Sequence, residues 1–349
     1  MMALIFILFF IIALLAFVEE TISEKYKNAI FWGLAFILVL VAGLREVGLD
    51  KDSENYEFYF NNTDNTNLLL FVEASYIFIA NILKHIFDDV HSVFLLYALF
   101  GVCLKFWAIK KLSPIYFLPV LIYFSNYFIL HEMTQIRAGI ASGLFLLALI
   151  PLAEGKKLKA AALLLTALVF HYSSIILFVV LVFSNKEIEG KWLKALLLII
   201  PMGYICHFLN IGITSIPIPY ISSKIEIYTE MRDKGIMGDE AINVFNALIL
   251  VKIAVFYYLI YMRKTLLAFN KYSPVMLKIE GLSLFSFLFF ADMPVFAFRL
   301  SELYGIVEII LLSNIYFTLK PKEASKLIVI AIALCFLAFN LFHNELLDF

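Results

Sequence analysis

The chain has 349 residues, 63% of them hydrophobic and only 16% charged, with a mean hydropathy of +0.94. A soluble globular chain is roughly 45–50% apolar and about 25% charged, so composition excludes that class and indicates a polytopic membrane protein. The net charge of −1 offers nothing to nucleic acid.

The N-terminus, "MMALIFILFFIIALLAF", has neither a basic n-region nor a small-residue cleavage site and reads as a retained span rather than a signal peptide. In chain order, apolar runs long enough for helices lie near 2–18, 28–44, 91–109, 114–130, 138–153, 158–183, 195–210, 242–262, 275–292, 299–318 and 326–342. Cys103, Cys206 and Cys335 all fall in such runs, at spacings that fit neither a metal site nor a disulfide framework. There is no internal repeat and no polar domain, so residues 1–349 are expected to form one membrane domain of about 11–12 spans.

Cytoplasmic loops collect Lys and Arg. The connectors Lys25/Lys27, Lys110/Lys111, Lys156/Lys157/Lys159, Lys186/Lys191/Lys194, Arg263/Lys264/Lys271 and Lys320/Lys322/Lys326 can share one side on two conditions. The stretch 68–86 must lie at the interface or re-enter, and 158–183 must fold as two short legs with an apex at "FHYSS" (170–174). A single helix over 158–183 is the alternative, and it would invert the next loop. With the two legs, the opposite, non-cytoplasmic side holds Arg45, Lys51, Lys84, Arg137, Lys224, Arg232, Lys234 and Arg299, half of them arginine, together with most of the acids, Glu132 among them. Its larger segments are 45–67 and 211–241, with short turns at 131–137, 170–174 and 292–299.

Arg45, Arg137, His171, Arg232 and Arg299 therefore converge on one membrane face. Arginine near acids at helix ends is often structural or snorkelling. Four arginines on a face whose opposite connectors use mainly lysine point instead to an anion, because the guanidinium fork matches phosphate oxygens at two points. Arg137 opens the run "MTQIRAGIASGLFLLALI" (133–150), where Ala138, Gly139, Ala141, Ser142 and Gly143 allow close backbone packing. A charge there is expensive in a bilayer, at least ~2.5–3.5 kcal/mol near its centre.

Other signals are weaker. Asp50-Lys51-Asp52 has D-x-D spacing in a polar loop, where it arises easily by chance, and no metal is expected. "HEMTQ" (131–135) has Gln135 where H-E-x-x-H needs its second ligand. Lys252 and Glu308 lie inside apolar runs, either paired in the bundle or marking a pathway.

"GLREVGLDKDSENY" (43–56), "FVEASYIFIANIL" (71–83), "QIRAGIASGLFLLAL" (135–149), "KKLKAAALLLTALVFHYSSII" (156–176) and "AFRLSELYGIVE" (297–308), in that order, resemble the EpsG-like branch of the Wzy-type O-antigen and exopolysaccharide polymerases. The resemblance covers roughly 40–310 and departs from the family where its "EPGY"-like stretch reads "EASY" (73–76). It implies a GT-C-like helical membrane glycosyltransferase of the bacterial inner membrane, acting on the periplasmic side without a metal or cofactor. Such an enzyme transfers a growing glycan from undecaprenyl diphosphate to the non-reducing end of another lipid-linked repeat unit, alongside a flippase and a chain-length regulator.

For that chemistry Arg137, Arg299 and Arg232 are the candidate diphosphate clamp, with Arg45 as a further binding residue. His171 is the candidate base for the acceptor hydroxyl, or a histidine that caps its turn. Asp50 and Glu73 are alternatives, as base or as orienters of the arginines. Tyr56, Tyr228 and Tyr304 are candidate sugar contacts, or members of an interfacial aromatic belt. A lipid-linked oligosaccharide flippase, a membrane O-acyltransferase and an O-antigen ligase stay open beside the polymerase.

Overall fold

The structure, a computed structural model, describes residues 1–65, 68, 72–211 and 242–348. Helix dominates, and among the described residues the β-structure is an isolated bridge between Asp50 and Leu347. Among the described residues, six helices are long and apolar enough to cross a membrane: Met2–Thr21, Glu24–Gly43, His91–Leu112, Ile136–Ala153, Gly190–Phe208 and Lys322–Phe342. The protein is a polytopic all-α membrane protein. Shorter apolar helices account for several of the other expected runs.

The chain divides into two compact units, one of Met1–Asn185, Lys264–Val275 and Ile306–Phe349, the other of Lys186–Arg263 and Met276–Gly305. The larger unit opens with α1 (Met2–Val18) and α2 (Glu24–Gly43). Glu24 lies in the first turn of α2, where the helix dipole favours an anion. At the other end Gly43 lets α2 close on α5 (His91–Leu112): a Cβ at Gly43 would stand 2.8 Å from the Leu95 Cα. Between them lie α3 (Ser53–Asn61) and α4 (Ala74–Phe87). At 14 residues α4 is too short to cross alone, in keeping with the expectation that 68–86 does not span.

The run expected near 114–130 is no simple span. It forms α6 (Phe117–Ile122) and then a π-helix, Tyr123–Thr134. Extended π-helix is rare and tends to occur at functional sites. Next come α7 (Ile136–Ala153) and α8 (Lys157–Phe170), packed side by side. The run 158–183 breaks where the two-leg reading places its apex. His171 is extended (φ −150°, ψ 111°), and the chain resumes as a 3-10 helix, Tyr172–Val182, in contact with α8.

Hydrogen bonds sort the ends of this unit. At one end Lys110 Nζ donates to Asn28 at 2.6 Å and Asn270 to the Leu112 carbonyl at 2.7 Å. There too the Glu19 carboxylate accepts the Tyr116 and Phe117 amides, at 2.8 and 3.0 Å, and Lys326 donates to the Phe17 carbonyl at 2.8 Å. These are the lysine-rich connectors. At the opposite end of α2 and α5, the Arg45 guanidinium covers the Phe94 ring at 4.1 Å and Lys51 Nζ donates to the Asn344 carbonyl at 2.7 Å.

The smaller unit contains α9 (Gly190–Phe208), helices Ala247–Tyr261 and Pro294–Gly305, and most of Ser273–Phe289. Gly203 and Gly281 allow its helices to approach: a Cβ at Gly203 would meet Leu288 at 2.9 Å, and one at Gly281 would meet Leu196 at 3.0 Å.

Candidate functional site

At the end of the larger unit away from the lysine connectors, three sequence-distant segments meet on one carboxylate. Glu73 occupies the N-cap position of α4 but makes no side-chain cap to its own helix. It reaches to the break after α8 instead. Its Oε1 accepts the Tyr172 amide at 3.1 Å and lies 3.1 Å from His171 Nδ1, while its Oε2 pairs with Arg137 Nη1.

The residues that replace the family's "EPGY" hold this meeting in place. The Ala74 amide donates to the Tyr172 hydroxyl at 3.3 Å, Ser75 Oγ to the Val169 carbonyl at 2.6 Å, and the Tyr76 hydroxyl to the Tyr56 carbonyl at 2.8 Å. The Ala74 amide and the Ser75 and Tyr76 side chains thus tie α4 to neighbouring elements.

Burial works against the Glu73 charge, but the hydrogen bond from His171 and the Arg137 charge outweigh it and hold the carboxyl down at about 2. The carboxylate has a second effect. Arg137 sits in the first turn of α7, the end of the helix dipole that disfavours a cation, and Glu73 neutralises it there. The guanidinium also lies over the Tyr56 ring, 5.6 Å from its centroid, with Nε 3.5 Å from the Tyr56 hydroxyl. Burial, with lesser electrostatic effects, pushes that hydroxyl up to about 12, so it stays protonated.

Both partners keep a free edge. Arg137 retains 20% side-chain exposure and His171 14%. Among the described residues, Arg137 Nη2 and His171 Nε2 make no hydrogen bond. A carboxylate that receives Nδ1–H fixes the imidazole tautomer and leaves Nε2 able to accept a proton. The arrangement therefore couples a cation that can meet an anion to an imidazole that can take up a proton.

Arg45 and Asp50, also expected at the site, are committed to each other. Arg45 and Asp50 form a pair at 2.7 Å, both side chains at 0% exposure. The other two nitrogens of Arg45 donate to the Ala42 carbonyl at 2.6 Å and the Met133 carbonyl, and Asp50 accepts the Asp52 and Ser53 amides at 3.1 and 3.0 Å. They brace the loop before α3. Arg299 is exposed and Tyr304 buried, both in the smaller unit. Arg232 and Tyr228, with nearly all of the 211–241 segment, lie outside the described residues. Glu308 is paired in the bundle, accepting from Asn126 at 2.9 Å and Tyr127 at 3.0 Å.

Sequence reasoning missed one feature. Glu132, counted with the outer-face acids, is buried and paired with Lys105 of α5 at 2.5 Å. The signal was a lone lysine inside an otherwise apolar run, with Gly101 one helical turn before it.

Fold and site together define a multi-pass helical membrane protein with a paired Arg–Glu–His cluster at one end of its larger unit. The family model of the EpsG family matches residues 28–346, and the chain belongs to that family. It is also similar to the amylovoran biosynthesis protein AmsC of Erwinia amylovora, at 24% identity over 353 residues that span 95% of this chain and 90% of that protein. No solved structure matches the chain.

Proposed function

We propose that the protein is a bacterial inner-membrane polymerase of exopolysaccharide or O-antigen repeat units. It transfers a growing glycan from undecaprenyl diphosphate to the non-reducing sugar of another lipid-linked repeat unit on the periplasmic face. Membership of the EpsG family and the likeness to an amylovoran biosynthesis protein support the class. The observation that carries the mechanism is the division of the Glu73 carboxylate between His171 Nδ1 and Arg137 Nη1.

The acceptor hydroxyl loses its proton to His171 Nε2 as its oxygen forms the new bond to the anomeric carbon. The bond from that carbon to the diphosphate oxygen breaks, and its electron pair stays on the undecaprenyl diphosphate. Negative charge grows on the leaving oxygen, so a cation held ready there lowers the barrier more than it favours the bound substrate. Arg137 supplies it through Nη2. Glu73 touches neither reacting atom; it holds both groups and offsets the imidazolium charge as it forms. The gathering of lysine connectors at the far end of α2 and α5 supports a periplasmic orientation of this cluster.

The test is reconstitution of the purified protein in vesicles with a defined undecaprenyl-diphosphate-linked repeat unit. Polymer should form without any other protein, and Glu73→Gln should abolish it per mole of folded protein. Movement of the lipid-linked unit across the bilayer without chain extension would replace this reading with a flippase.

A further inference from the structure

The junction that carries Arg137 is gripped from within the bundle by charges that the proposed reaction does not use. Lys105 and Glu132, both at 0% side-chain exposure, meet at 2.5 Å, and the same ammonium donates to the Gly139 carbonyl at 2.6 Å. Lys105 therefore ties a residue before Arg137, at the end of the π-helix, to a residue after it, in the first turn of α7. Two glycines make room. A Cβ on Gly101 or on Gly139 would collide with the Glu132 carboxylate, and one on Gly139 would also strike the His131 carbonyl. On the other flank Arg45 donates to the Met133 carbonyl. Buried cations from two separate elements thus clasp the turn 132–139, in which Arg137 is the one residue that reaches the site.

Holding the helices together does not require this arrangement. Desolvation offsets most of the attraction in a buried ion pair, and well-packed apolar residues of similar volume often serve stability equally well. Ionisable groups inside membrane helices are expensive and as a rule tied to function. What the pair adds over leucine is direction, since one ammonium fixes two acceptors on either side of Arg137.

We infer that Lys105 and Glu132 are positioning residues that set where the Arg137 guanidinium stands. The inference rests on the reading of Arg137 as the group that meets the diphosphate. Misplacement of a reacting group by about 1 Å costs on the order of 10²-fold in rate, so the loss should appear in turnover.

The charge-free variant Lys105→Met/Glu132→Leu, in the full-length protein in nanodiscs, tests this with two measurements. Hydrogen exchange should quicken by more than about tenfold across 132–139 while the rest of α5 and α7 keeps its protection. Polymer formation should slow by about 10–100-fold at nearly unchanged KM for the lipid-linked donor, with no further loss when the variant is combined with Arg137→Ala. Gly101→Ala, which displaces Glu132 and keeps both charges, should give the same local signature and covers the case in which the double variant fails to fold. Unchanged protection at 132–139, loosening along all of α5 and α7, or an equal fractional loss in the Arg137→Ala background would overturn the inference. Local loosening with full turnover would sustain the positioning and remove the catalytic reading of Arg137.

Discussion

Two arginine–carboxylate pairs stand at the same end of the larger unit, and they differ in what is left over. Arg45 and Asp50 are sealed, with the Arg45 donors shared among Asp50, Ala42 and Met133 and its face covered by Phe94. Arg137 and Glu73 keep an open edge, because Nη2 is unclaimed among the described residues and a fifth of the arginine side chain is exposed. Charge and pairing are alike in both. A buried guanidinium with every nitrogen engaged by a protein acceptor braces, whereas a partly exposed one with a whole nitrogen to spare can still bind an anion. The open pair alone also shares its carboxylate with an imidazole.

The sharpest way to break this contrast is at His171. His171→Ala should lower turnover by ~10²–10⁴ while donor binding stays largely intact, because in the proposed mechanism the imidazole acts on the acceptor hydroxyl. A purified-protein assay of donor affinity and polymer formation reads both. Wild-type polymerisation would return His171 to the role of a turn residue.

At the sealed pair the loss should be one of folding. Arg45→Ala leaves Asp50 charged, buried and short of a partner, a change that costs about 3–5 kcal/mol. The expected outcome is severe loss of membrane-inserted protein and of thermal stability, whereas Arg137→Ala, whose Glu73 keeps His171 and the Tyr172 amide, loses less of either. Equal accumulation of the two variants would erase the distinction drawn between the pairs. At the open pair, Arg137→Lys should behave nearly as badly as Arg137→Ala, with ~10²–10³ lost in rate, since one ammonium cannot hold Glu73 and a diphosphate oxygen in the geometry of the fork. Glycan ladders in cells, collapsing to a single repeat unit, give the readout. A normal ladder from Arg137→Lys would reassign that arginine to structure.

The contrast was only half legible in the sequence. Hydropathy and the lysine connectors disclosed the membrane class and the break at His171, because composition and charge act along the chain without reference to distant partners. Arg137, His171, Glu73 and Tyr56 were all named as candidates, and the fold brings them together. Arg45 and Asp50 looked the same by residue type; their sealing depends on a carbonyl 88 positions away in the chain. Lys105 and Glu132 escaped because their pairing requires α5 and the π-helix to close over two glycines, a contact that no local pattern encodes.

Acid should dissolve the open pair. The Glu73 carboxyl stands at about 2 in the folded chain against an ordinary 4.5. A depressed folded value gives stability that is complete above the ordinary value and is lost as pH falls through the folded one. At about 1.4 kcal/mol per unit this amounts to about 3 kcal/mol, present at neutral pH and fading between pH 4.5 and about 2. The melting temperatures of wild type and Glu73→Gln should therefore differ by a constant amount above about pH 5.5 and converge below pH 4.5. A gap that ignores pH would mean that Glu73 is held by packing rather than by Arg137 and His171.

The smallest effect should come from the edge of the open pair, at Tyr56. Its hydroxyl meets Arg137 Nε at 3.5 Å, the outer limit of a hydrogen bond, while its ring lies 5.6 Å from the guanidinium. Tyr56→Phe removes the weak contact and keeps the ring, so turnover should fall by about 2–10-fold, the equivalent of about 0.5–1.5 kcal/mol. Tyr56→Leu also loses the aromatic face under the cation, adding ~0.5–2 kcal/mol, and opens a gap beside Tyr76, whose ring lies 5.4 Å away. The two variants separate hydroxyl from face. If Tyr56→Phe proved as damaging as Tyr56→Leu, the hydroxyl would be touching substrate, and Tyr56 would move from supporting Arg137 to binding sugar.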